Sequence, residues 1–220
     1  MKKLMLGAVP LMAAMAFAVM PAMASAATLQ YGTCAATKTG EKETKPPCKA
    51  KETFHPFTAA TKVTDSKVST SFVLEGENEK KEKSGITCTT FSSKGTYSNK
   101  ENAKKELVGE SVDELTFDGC TGTGGLAGCE INPPSHEITG TVDDIVLSET
   151  EVEIKIVSGF NVKCGTTELG NVTGTAKGKV SGDETTFTKA SGLTFAGLPS
   201  TITGTLATVT EVGKLPVFIN

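Results

Sequence analysis

Polar and apolar residues alternate singly over much of this chain. In "EVEIKIV", Glu151 to Val157, Val152, Ile154 and Ile156 alternate with Glu151, Glu153 and Lys155, which predicts a strand with one dry and one wet face. Phe160, Val162 and Cys164 continue the rhythm against Asn161 and Lys163, with Ser158-Gly159 read as a tight turn between the two runs. "NVTGTAKGKV", Asn171 to Val180, sets Val172, Gly174, Ala176, Gly178 and Val180 on one face and Thr173, Thr175, Lys177 and Lys179 on the other. Further strands are predicted at Val68–Glu75, Gly85–Phe91, Val112–Asp118, Glu137–Leu147, Gly192–Ala196, Thr201–Val212 and Leu215–Ile219, with the charged stretch Glu75–Gly85 as a hairpin tip. Asn99–Val108 reads either as a weakly docked helix or as an exposed loop. Short runs separated by Gly, Ser, Asn and Thr define an all-β class: an antiparallel β-sandwich or barrel-like domain.

The pattern is different at the start. Lys2 and Lys3 precede an uncharged apolar run from Leu4 to Met20, and Ala24-Ser25-Ala26 supplies a small-x-small cleavage site. Residues 1–26 are therefore expected to be a signal peptide and the remaining chain to be secreted. No later segment is apolar enough to span a bilayer as a helix, so no transmembrane segment is expected in the mature chain. Ala35 to Thr53 is rich in Lys, Thr, Glu and Pro, with little to bury. Residues 27–53 are read as an extended N-terminal arm and 54–220 as the β-rich domain.

The six cysteines, Cys34, Cys48, Cys88, Cys120, Cys129 and Cys164, all lie beyond the leader. In an exported chain an even number predicts disulfides. No pair has the two-to-four-residue spacing of a zinc site, and no Cys-x-x-Cys redox motif occurs. Spacing alone leaves every pairing open. Closeness along the chain favours Cys34–Cys48 and Cys120–Cys129, the latter across "TGTGGLAG", which leaves Cys88–Cys164 to join distant strands.

Composition narrows the chemistry. The 22 basic residues are all lysine, two of them in the leader, against 25 Asp plus Glu. This mildly acidic balance gives no support for a nucleic-acid partner, and without arginine the planar fork that best grips phosphate is missing. All six methionines fall between Met1 and Met23, and tryptophan is absent. With only Tyr31 and Tyr97 beside phenylalanine, an aromatic sugar platform is poorly supplied; Phe72, Phe91, Phe117, Phe160 and Phe195 are expected in the core.

His136 in "PPSHEITG" has neither a Gly-x-Ser-x-Gly elbow nor a second histidine to work with, and is read as a loop residue. His55 is placed in a turn or at a strand edge. Asp143 and Asp144 are adjacent, so on a strand they point to opposite faces and form no acid–base pair with each other, though one of them turning inward is kept open. Asp118 and Glu130 alone make a poor calcium cage. Asn171-Val172-Thr173 fits the glycosylation triplet. No catalytic, cofactor-binding or metal residue is assigned.

The succession "GITCTTFSSKGTY", "LTFDGCTGTGGLAGCEINPPSHEITGTVDDIVL" and "FNVKCGTTELGNVTGTAKGKV" resembles uncharacterised secreted β-rich proteins of soil bacteria. The residues that carry it are Cys88, Gly95, Phe117, Gly119, Cys120, Cys129, Ile138, Gly140, Phe160 and Cys164. More faintly, the layout and the ending "LTFAGLPSTITGTLATV" are similar to secreted alkane-oxidation activator proteins, which are surface-associated and without a known catalytic site. The "Y-G-T-C…P-P-C" arm, Tyr31 to Cys48, lies outside both patterns. The resemblance implies export and β structure and no defined activity.

The functional expectation is a non-catalytic secreted or cell-surface-associated protein, acting by adhesion, matrix or hydrophobic-surface contact and not an enzyme; its partners are unknown. One alternative is an assembling subunit whose end strand, Leu215–Ile219, pairs with an open edge on a neighbour. The other is a secreted hydrolase, for which no catalytic constellation assembles.

Overall fold

The computed structural model describes residues 29–41, 47–68, 71–101, 107–213 and 215–220. The expected signal peptide, 1–26, lies outside the described residues. Twelve strands form one antiparallel sheet: β3 (Thr61–Val68), β4 (Phe72–Glu77), β5 (Lys83–Cys88), β6 (Thr90–Glu101), β7 (Leu107–Asp118), β8 (Thr121–Gly124), β9 (Ile138–Ser148), β10 (Glu151–Gly159), β11 (Asn161–Cys164), β12 (Thr167–Ser181), β13 (Glu184–Phe195) and β14 (Leu198–Thr210).

Several of these strands are continuations of one another. β5 with β6 and β7 with β8 make one long ribbon: its register runs unbroken from Ser84 opposite Gly124, through Thr90 opposite Asp118, to Glu101 opposite Leu107. β3 and β4 lie end to end along this ribbon and along β14, and β10 and β11 lie end to end along β12. Joined in this way, the twelve strands make eight staves: β3/β4, β5/β6, β7/β8, β9, β10/β11, β12, β13 and β14. Each stave pairs with the next in sequence, and β14 pairs back onto β3 and β4. The sheet closes. Of the two expected architectures the structure is the barrel, in up-and-down order, and closure leaves the staves with no free edge along their paired length.

The expected turn at Ser158-Gly159 is a kink instead. Ser158 and Gly159 still pair with Thr141 and Gly140, and after Phe160, at φ 52°, the chain continues along β12 without reversing. Asn99–Glu101 and Leu107–Val108 are the ends of β6 and β7, so at both ends the structure has strand where Asn99–Val108 reads as a helix or an exposed loop; 102–106 lie outside the described residues. Each end of that stretch has a ladder partner directly across the ribbon, which a weakly amphipathic turn of helix would forfeit. Glu75–Gly85 is the expected hairpin, joining β4 to β5.

The single-residue alternation sorts inside from outside. Ile138, Val142 and Val146 of β9, and Val152 and Ile154 of β10, are buried, while Ile145 and Leu147 of β9 and Lys155 of β10 face out. Rings fill the space where staves lack side chains. A Cβ on Gly140 would lie 2.2 Å from the Phe160 ring, and one on Gly204 would lie 2.4 Å from Phe72. This small-against-large matching fills an eight-stave interior. Phe72, Phe160 and Phe195 are buried as expected, Phe91 and Phe117 pack against the same core, and Phe187, 1 % exposed, joins them.

A second, three-stranded sheet caps one end: β15 (Val217–Ile219), β1 (Tyr31–Ala36) and β2 (Glu52–Pro56), in that order. The N-terminal segment is extended, but Tyr31–Ala36 is a strand of this cap and the boundary expected at Phe54 falls inside β2. The reason is Tyr31: its ring is buried among Val63, Tyr97, Val146, Val152, Val217 and Ile219, so this end of the arm has an apolar anchor that Ala35–Thr53 lacks. Asn99 locks it further, accepting from Tyr31 N (2.8 Å) and donating to the carbonyls of Tyr31 (2.9 Å) and Phe57 (3.1 Å). The end strand is used within the chain, Val217–Ile219 pairing with Tyr31–Thr33.

Three disulfides join Cys34 to Cys48, Cys88 to Cys120 and Cys129 to Cys164. The first is the expected pair; the expected Cys120–Cys129 and Cys88–Cys164 bridges are corrected. The glycine stretch after Cys120 is not simply a closed loop, because Thr121–Gly124 leaves as strand β8 on β5. The ribbon register sets Cys88 directly across from Cys120, with Cα atoms 4.0 Å apart. The chain returns through a bridge between Thr121 and Glu130 and then pairs Ile131 with Cys164, which brings Cys129 within 5.3 Å of Cys164, Cα to Cα. Such bridges suit an oxidising, extracellular setting.

Candidate functional site

Closing the barrel and covering its ends leaves two neighbouring voids between the inward faces of the staves. The larger is a chamber of about 60 Å³ whose walls are wholly apolar, among them Phe72, Ile86, Phe117, Val142, Ile154 and Ile202. Three rings in its wall, Phe72, Phe117 and Phe160, follow one another with centroids 5.0 and 6.0 Å apart, and Phe91 packs against the first two at 5.1 and 5.9 Å. Its far end is covered by the segment after β8, where Ile131 is fully buried and the Cys129–Cys164 bridge fastens the chain to β11.

Towards the cap the lining changes character. A second void of about 20 Å³ shares Phe72, Leu115, Phe117, Val142, Ile154 and Ile202 with the chamber, and adds Ser93, Tyr97, Asp113, Asp144 and Thr208. Register explains the carboxyl pair: Ser111 is opposite Asp144 and Asp113 is opposite Val142, so both acids lie on the inner face of adjacent staves two residues apart. Gly95, directly across from Asp113 on β6, has no side chain, and the Asp113 carboxyl occupies the room a Cβ would need.

Asp113 is 3 % exposed. Its Oδ2 accepts the Ser111 hydroxyl at 3.0 Å, while its buried Oδ1 has no hydrogen-bond partner. Burial pushes its carboxyl up to about 6, against the lowering influence of Ser111 first and then of Asp144 and Tyr97. The Tyr31 and Tyr97 hydroxyls are raised well above their ordinary range, first by burial and then by the charges of Asp113 and Asp144. The two rings pack at 4.4 Å, and Tyr97 Oη lies 3.4 Å from Thr208 Oγ1. Cap and barrel therefore meet over Asp113, which is buried, and Asp144, which is half-buried.

Asp143 and Asp144 do point to opposite faces, and Asp144 turns inward by plain alternation without a bulge in its pairing to β7. Its companion is Asp113, which was not singled out in the sequence. The signal was parity: Leu115 and Phe117 share Asp113's face, so a strand aligned on them carries Ser111 and Asp113 inside.

The other polar candidates stay apart from this site. His136 is in a turn, with Nδ1 3.0 Å from the Ile131 carbonyl and Nε2 3.9 Å from Glu130. His55 is on β2 opposite Thr33. Asp118 is engaged with Thr90 and the Gly119 amide, away from Glu130. Asn171 is exposed on β12. Among the described residues, no three His, Cys, Asp or Glu side chains group as a metal site. An open groove of about 390 Å³ on the outside, between Lys62, Lys94, Glu114 and Glu211, balances opposite charges and selects no ligand class.

Among the described residues no helix is long and apolar enough to cross a membrane. The outward faces of β10 and β12 carry Glu151, Glu153, Lys155, Lys177 and Lys179, with Lys177 paired to Glu151 at 3.1 Å, where a membrane barrel needs an apolar band. Comparison of the chain with protein-family models, with curated proteins and with solved structures found no match.

Proposed function

We propose that this chain is an exported, non-catalytic binding protein whose barrel shelters a small apolar molecule. The observation that supports this reading is the wholly apolar chamber inside a closed eight-stave barrel. Barrels of this size either fill with side chains or keep room for one small ligand, and a dry apolar void takes up apolar guests in preference to water. At roughly 10–15 Å³ per water-sized guest, 60 Å³ suits a molecule of a few non-hydrogen atoms.

Xenon is a direct probe. Under xenon pressure the methyl resonances of Ile86, Val142 and Ile154 are expected to shift while those of Ile145 and Leu147 on the outer face stay put. Uniform or absent shifts would mean that the chamber is a closed packing void, and the reading would fail.

One observation favours surface contact as a second role. Val112, Ile145 and Leu147 stand exposed on adjacent staves, at 51 %, 39 % and 40 %. That role expects Val112→Lys/Ile145→Lys to lower retention on a hydrophobic column without changing the melting temperature; unchanged retention counts against it.

A further inference from the structure

The glycine-rich loop between Cys120 and Cys129 carries one large side chain, Leu126, and that side chain lines a cavity of its own. We infer that the end of the barrel away from the cap holds a second binding site, an open pocket that takes a single uncharged aromatic ring of about the size of benzene. This site goes beyond the chamber reading above, because the two cavities have no wall residue in common.

The pocket measures about 150 Å³. Its main walls are Leu126, Leu169 of β12, Phe195 of β13 and Leu198 of β14, and Ser84 is its one polar side chain. Phe195 is 4 % exposed, and the three leucines are half-buried. These walls are held in place. Backbone hydrogen bonds from Leu126 N to Thr123 O (3.1 Å), Ala127 N to Gly124 O (2.9 Å) and Cys129 N to Leu126 O (3.0 Å) wind the loop into successive turns. Bridged cysteines stand at both of its ends. A Cβ on Gly122 would collide with the Leu126 carbonyl, so the loop folds back on β8 only over a glycine. Leu198 is fixed by pairing with Phe195 across the turn that joins β13 to β14. A wall formed in advance costs an incoming guest little ordering.

Size and lining select the guest. A void of roughly 150 Å³ walled by Leu, Ile and Phe takes up benzene. The Phe195 ring adds an offset or edge-on partner for an aromatic guest. With no charged side chain in the wall, a charged guest would lose hydration and gain no partner. The occupant is a free molecule and not the side chain of a partner protein. Among the described residues, the exposed large apolar side chains, Val112, Ile145, Leu147, Val157, Val212 and Leu215, all lie outside this wall. A protein interface needs an apolar core wider than one ring.

Benzene reports on this pocket separately, since it is too large for the chamber of about 60 Å³. Titrated into the full mature protein, it is expected to give saturable ring-current shifts at the methyl groups of Leu126, Leu169 and Leu198, with none at Ile145 and Leu147. Toluene is expected to bind at least about tenfold more tightly than N-methylpyridinium, its charged isostere. Leu126→Ser is expected to weaken benzene at least about fivefold while the methyl resonances of Ile86, Val142 and Ile154 stay in place. Leu198→Ser serves as the second variant should the first not fold. Shifts that grow without saturation and reach Ile145 and Leu147 equally, or no shift at the three leucines, would overturn the site whatever xenon shows in the chamber. Equal binding of toluene and N-methylpyridinium would overturn the assignment to uncharged rings.

Discussion

Removing the Cys88–Cys120 bridge by the double substitution Cys88→Ala/Cys120→Ala is expected to lower stability by about 4 kcal/mol. The bridge closes 32 residues of chain, and loop-closure entropy alone gives about 3.7 kcal/mol for a loop of that length. Both cysteines are buried, Cys88 at 5 % and Cys120 at 1 % exposure, so the cavity left behind adds to the loss. The Cys129–Cys164 bridge spans 35 residues and is expected to cost nearly the same, whereas Cys34–Cys48, spanning 14, is worth about 3 kcal/mol. Denaturant melts of the three double variants give the order. The connectivity has its own readout, because cleavage after lysine leaves Cys120 and Cys129 together in the peptide 106–155, with Cys88 in 84–94 and Cys164 in 164–177. The pairing seen here ties all three peptides into one species until reduction. A two-peptide species of 84–94 with 164–177, beside a separate 106–155, would show the pairing to be wrong.

That error of pairing illustrates what the alternation of residues conveys and what it omits. Strands such as Glu151–Gly159 and Thr167–Ser181 are plain in the sequence because each buries one face and wets the other. Closure was not plain, since it rests on β14 finding β3 and β4 across more than a hundred residues, and no local pattern encodes a partner at that distance. The disulfides follow from register, which distance along the chain does not reveal: Cys88 faces Cys120 only because the ribbon continues in phase past Thr89 and Gly119 into β8. "TGTG" looks like a loop because its side chains are too small to show a dry face. The candidate site was the least legible part. On β7 the usual rule is inverted, with Val112 at 51 % exposure outside and Asp113 at 3 % inside, so the residue that matters looked like solvent-facing decoration. Natural barrels tolerate such an inversion where it serves a site, and otherwise at a cost in stability.

That cost has a sign that can be measured. The Asp113 carboxyl is held at about 6, above its ordinary value of 3.8, and burial is the main cause. The folded protein therefore keeps a proton at Asp113 that the unfolded chain releases in the window between these values. Stability from this group is fully present below about pH 4, falls as pH rises through 6, and is level above it. The groups facing it are Ser111 on its own strand, Tyr97 on β6 and Asp144 on β9, with Tyr31 of the cap beyond. A shift of this size corresponds to a loss on the order of 3 kcal/mol between pH 4 and 7, an upper figure because the acids are clustered and share the titration. Asp113→Asn keeps the shape of the protonated side chain and removes its titration. It is expected to match the parent in urea melts near pH 4 and to exceed it at pH 7 by up to about 3 kcal/mol. The comparison is made as a difference between the two proteins at each pH, so that surface carboxylates common to both cancel. A difference that stays flat from pH 4 to 7.5 would mean that Asp113 is ionised throughout, and the acidic end of the barrel would then hold two charges with no proton between them.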